Sequence, residues 1–71
     1  MLNLENRKVE LVYLNRFGER IYFGNNKSLM FRDPEMAKKF IDTVTVRGSS
    51  SIKIKEFING EFVSQKTIPA E

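Results

Sequence analysis

Apolar and polar positions alternate along most of this chain, and the period of the alternation changes once. Val9, Leu11 and Tyr13 interleave with Lys8, Glu10, Val12 and Leu14, the period-2 pattern of a strand. Arg16-Phe17-Gly18 then fits a three-residue hairpin loop with Gly18 in the left-handed region, which sets Tyr13 against Ile21 and Leu11 against Phe23. Gly24-Asn25-Asn26-Lys27-Ser28 is a turn by composition, and Leu29-Met30-Phe31 follows as a short extra strand or an irregular approach to what comes next. Near Asp33 the period lengthens. Ala37, Phe40, Ile41 and Val44 form one helical stripe, with Lys38, Lys39 and Asp42 facing water. Asp33 supplies a capping carboxylate, Pro34 suits the first helical position, and Glu35 suits the positive end of the dipole.

After the helix, Thr43-Val44-Thr45-Val46 switches to β-branched residues, which ends the helix near Asp42 and offers an optional fifth strand over residues 43–47. Arg47-Gly48-Ser49-Ser50-Ser51 is a loop. Asn59-Gly60 then stands between two strand-like runs, Ile52 to Ile58 and Glu61 to Ile68, where a two-residue type I′ turn needs positive φ at both central positions. A turn placed there pairs Ile58 with Glu61, Phe57 with Phe62, Lys55 with Ser64 and Lys53 with Lys66.

The expected fold is a small two-layer α+β domain of order ββαββ, with one helix packed on one face of a mainly antiparallel sheet. A single domain spans residues 1–71, with Met1 to Arg7 polar enough to fray. The core face expected is Val9, Leu11, Tyr13, Ile21, Phe23, Ile52, Ile54, Ile58 and Val63 under Ala37, Phe40 and Ile41. One helix can cover only one face. The other shows Val12, Leu14, Tyr22, Phe57 and Phe62 among Arg20, Lys53, Lys55 and Lys66, and these nine residues are the candidate partner-binding surface.

Composition narrows the chemistry. Among 71 residues there is no Cys and no His, which removes the usual thiolate, imidazole, disulfide and zinc constellations, so no metal or cofactor is expected and the chain reads as a non-enzyme. Asp33 and Glu35 are accounted for by capping, and Ser49-Ser50-Ser51 reads as a solvated loop. Lys27-Ser28 lacks the preceding Gly of a phosphate-binding loop. Phe31-Arg32-Asp33-Pro34-Glu35 with Ala37 and Phe40 resembles the strand-to-helix passage of RNA-recognition motifs. The resemblance stops there, because Glu19 to Gly24 lacks that family's glycine-aromatic alternation, and helix-start chemistry accounts for it.

No apolar run reaches membrane-spanning length, and Met1 to Asn6 lacks the pattern of a signal peptide, so a cytoplasmic protein is expected. A net charge of +3 permits an anionic partner without demanding one. The functional expectation is therefore a small protein-interaction module, a regulator or inhibitor acting through the open sheet face, with a protein partner or self-association as a homodimer. No small-molecule substrate is expected. The alternative is a single-stranded nucleic-acid binder that stacks bases on the aromatics and meets phosphates with the cations.

Overall fold

In the computed structural model, residues 6–70 are described. The elements are β1 (Arg7–Leu14), β2 (Leu29–Phe31), α1 (Pro34–Thr43), β3 (Ser51–Ile58) and β4 (Glu61–Pro69). All pairings are antiparallel, in the order β2-β1-β3-β4. This is the expected small α+β layer of order ββαββ. The chain is anchored from Asn6 onward, not frayed: the Asn6 N–H donates to the Asn59 side chain at 3.0 Å, and the Asn59 N–H donates back to the Asn6 carbonyl at 2.8 Å. The rest of the segment expected to fray, 1–5, lies outside the described residues.

The first turn forms as its composition requires. Gly18 has φ 82°, and the Asn15 side chain accepts both the Phe17 and Glu19 N–H groups at 2.9 Å. The returning chain meets β1 as expected at Ile21, whose N–H donates to the Tyr13 carbonyl at 2.8 Å. It then leaves. Phe23 and Asn26 exchange backbone bonds at 2.8 and 3.0 Å around Gly24 (φ 63°), and this tight reversal interrupts the strand. Phe23 still packs edge to face on Tyr13, with ring centroids 5.5 Å apart. Leu29, not Phe23, becomes the cross-strand partner of Leu11, so the second strand of the sheet is the short segment Leu29–Phe31.

Asp33 caps α1, accepting the Glu35 N–H on its carboxylate at 3.0 Å, with Pro34 beginning the helix. The fifth strand at 43–47 does not form. Thr43 closes the helix, its hydroxyl donating to the Lys39 carbonyl at 2.7 Å, and Val44 turns extended while its N–H still reaches Phe40. Val46 packs into the core instead of pairing, and Gly48 (φ 83°) reverses the chain into β3. At the last hairpin Asn59 (φ 53°) and Gly60 (φ 84°) both take positive φ, the type I′ requirement.

The core is Val9, Leu11 and Tyr13 of β1, Ile52 of β3 and Ala37 of α1, with Phe31, Phe40 and Ile54 among those packed around it. The backbone of helix α1 lies over β1 and β2 and is set back from β3 and β4. A groove of about 430 Å³ is left between α1 and the outer half of the sheet, lined in part by Ile41, Asp42, Ile54, Glu56, Lys66 and Ile68. Val63, expected in the core, is 52% exposed beside a bulge in β4.

Tyr13 is 1% exposed, yet its hydroxyl has no hydrogen-bond partner among the described residues, and burial raises its phenol above the ordinary value of 10.0. A buried donor without a partner costs about 1–3 kcal/mol. Tyr13→Phe should therefore raise the urea unfolding midpoint. The unfolded chain gives up the phenol proton near pH 10.0 while the folded chain holds it, so stability falls as pH rises above that value. The variant should lose less stability than the parent above pH 10.0, as unfolding curves at pH 8 and 11 would show. For the helix cap, Asp33→Ala should cost about 1 kcal/mol by the same measurement.

Candidate interaction face

Cross-strand partners share a face, so the β1–β3 and β3–β4 registers assign each side chain. Lys8 opposes Phe57, Glu10 opposes Lys55, and Val12 opposes Lys53. Across the last hairpin Phe57 opposes Phe62, Lys55 opposes Gln65, and Lys53 opposes Thr67. Met30 of β2 opposes Glu10. The helix-free face therefore has an aromatic end made of Phe57 and Phe62 beside Lys8, then a band of Glu10, Lys55 and Gln65, then Val12, Lys53 and Thr67. Phe57 and Phe62 meet edge to face with centroids 5.9 Å apart and an interplanar angle of 70°. This geometry is favoured by the ring quadrupoles. Phe62 is 57% exposed and Phe57 half-buried beneath it.

Most of the expected surface lies on or beside this face, and two residues depart from it. Lys66 does not lie there. The register slips between Glu56 and Phe57, placing Lys66 opposite Ile54 on the helix side, where it lines the groove. The physical cause is a β-bulge, which sets two residues of one strand against one of its neighbour and so reverses every later side chain. Gln65 and Thr67 take the positions that Ser64 and Lys66 would have held. Val12 is on the expected face but is 2% exposed, so it is packing material and not available to a partner. Leu14, Lys53 and Lys55 are half-buried there.

Arg20 and Tyr22 sit in the loop between β1 and β2, both exposed. Arg20 opposes Leu14 through an isolated bridge and so shares its face. Tyr22 stands between Ile21 and Phe23, whose side chains turn into the core. These residues extend the face toward the end opposite the Phe57–Phe62 pair.

Lys8, Glu10 and Met30 belong to this face but were absent from the expected set. Their alternation with Val9 and Leu11 was visible. What could not be read is that β1 lies against β3 with Lys8 beside Phe57. Glu10 supplies a carboxylate amid the cations, and its oxygen accepts the Ser28 hydroxyl at 2.6 Å, which ties the β1–β2 loop to the sheet. Lys8, Lys53, Lys55 and Arg20 outnumber it, so the face is positive with an aromatic end.

Among the described residues, no group of three or more His, Cys, Asp or Glu side chains could hold a metal ion. Nor is any helix among them long and apolar enough to cross a membrane. Compared with protein families, with curated proteins and with solved structures, the chain matches none.

Proposed function

We propose that this protein is a non-enzymatic interaction module that binds a protein partner across the helix-free face of its sheet. The observation that carries the reading is the Phe57–Phe62 pair, an aromatic anchor with Phe62 largely in solvent, on the face that α1 leaves uncovered. Interface energy concentrates in such anchors, and charged side chains at the margin set specificity and the rate of encounter. Lys8, Lys53 and Lys55 form that margin, which favours a partner with acidic residues around an apolar centre. With Val12 buried, the exposed apolar contact of this face is the aromatic end of the sheet together with Met30 at the β2 edge.

Cations beside exposed aromatics also support a second reading, single-stranded nucleic-acid binding, in which rings stack on bases and lysines meet phosphates. Salt separates the two. Nucleic-acid binding weakens steeply as salt rises, and each lost phosphate contact reduces that dependence.

For a protein partner, Phe57→Ala combined with Phe62→Ala should abolish its capture while circular dichroism stays native, and Lys53→Glu with Lys55→Glu should reduce capture less. Fluorescence anisotropy with a labelled single-stranded oligonucleotide at two salt concentrations provides the contrast. A complex with the oligonucleotide that tightens sharply at low salt and is lost on Lys53→Glu would replace the protein reading with the nucleic-acid one.

A further inference from the structure

Strand β4 forms one edge of the sheet, and nearly all of it is exposed. Exposed edges pair readily with other strands unless something blocks them. The hydrogen-bonding phase shows which groups this edge offers. Ala70 N–H donates to the Ser50 carbonyl at 3.1 Å, so beyond the bulge Ser64, Lys66 and Ile68 turn their backbone groups toward β3. Gln65, Thr67 and Pro69 turn theirs outward. Before the bulge, Glu61 and Ile58 flank the two-residue turn and bond to each other, which leaves Phe62 turned outward. The free edge thus presents Phe62, Gln65 and Thr67, and Pro69 has no N–H to give.

We infer that this edge pairs with β4 of a second copy, antiparallel about a two-fold axis between Val63 and Ser64. Phe62 then lies opposite Gln65 of the second copy, and Gln65 opposite its Phe62. The outward groups match because each copy carries the same bulge between them. Glu61 falls opposite Lys66 of the second copy, twice by symmetry, and both side chains project on the helix side of the sheet. Phe62 and Val63, two large apolar residues left in solvent by the monomer, both lie along the new seam, Phe62 on the helix-free face and Val63 at the bulge.

The neighbouring registers fail for definite reasons. Centring on Lys66 sets that lysine against its own copy. Centring on Thr67 places Gln65 opposite Pro69, which lacks a donor. Centring on Gln65 opposes Thr67 to Val63, whose backbone is turned toward β3 by the bulge. Complementary charge and matching backbone phase therefore select one register and one occupant. The dimer rests on the backbone edge and on the helix-side charges of Glu61 and Lys66; it shares Phe62 with the helix-free face, so what that face binds is followed separately through Phe57, Lys53 and Lys55.

Sedimentation of the purified chain over a range of concentrations tests it. The parent should dimerise. Glu61→Lys and Lys66→Glu, each setting like charges together twice, should each weaken the dimer on the order of tenfold. Mixed in equal amounts, these two variants should form a heterodimer tighter than either homodimer, since both charge pairs are then restored. Gln65→Pro, which removes an outward N–H that β3 does not use, should be monomeric with a native circular dichroism spectrum. If that variant unfolds, the mixture of charge variants decides by itself. A parent that stays monomeric, or charge variants whose mixture is no tighter than each alone, would overturn the dimer. A monomer that still loses partner binding on Phe57→Ala would leave the functional reading intact.

Discussion

The ladder between β1 and β3 is the constraint on which the rest of this structure depends. It runs from Arg7 against Ile58 to Leu14 against Ser51 and sets the interior strands side by side. Val9, Leu11 and Tyr13 reach one face together with Ile52 and Ile54, and a short helix can close that face only because these side chains are in phase. The edge strands are secondary to it. Strand β2 adds to β1 over Leu29–Phe31, and β4 adds to β3 through a local turn. In so short a chain the apolar surface buried is limited, so a single interior pairing must organise most of it.

Coverage by one helix leaves the sheet asymmetric. The helix axis lies over β1 and β2, Phe40 filling the space between Tyr13 and Phe31 with ring contacts at 6.3 and 5.4 Å. Nothing comparable covers β4 among the described residues. The outer hairpin is consequently held by its own ladder, by the β3 face toward β1, and by the pair of backbone and side-chain bonds between Asn6 and Asn59. Asn59 serves the turn with its backbone and the start of β1 with its side chain.

Features set by a few adjacent residues were legible in the sequence. Asp33-Pro34 fixes the helix start, Asn59-Gly60 fixes the last turn, and the Val9-Leu11-Tyr13 alternation gives the buried face of β1, because each depends on local stereochemistry. What escaped was register over distance. Residues 19–24 have strand-like composition throughout, and nothing in them says that the chain stops following β1 after Ile21. The bulge in β4 likewise leaves no compositional mark, since Val63 and Ser64 are ordinary strand residues. That single inserted position carried Lys66 to the helix side and left Val63 in solvent, while Phe57, Phe62, Lys53 and Lys55, which precede it or lie on β3, keep the face their alternation assigns. Burial of Val12 was hidden for a related reason: alternation assigns a side but does not say how well that side is covered.

Chain separation between paired strands also orders events in time. The β3–β4 hairpin joins neighbours through a two-residue turn and can close on a scale of about 1–10 μs, whereas β1 must find β3 across the loop, the short strand and the helix. Loop-closure entropy is spent before that non-local ladder gains anything. The part of the molecule least covered in the finished fold is thus the part best able to form early by itself. The interior pairing that defines the faces would be sealed late, when β1 docks on a hairpin whose turn and bulge have already decided which side is which.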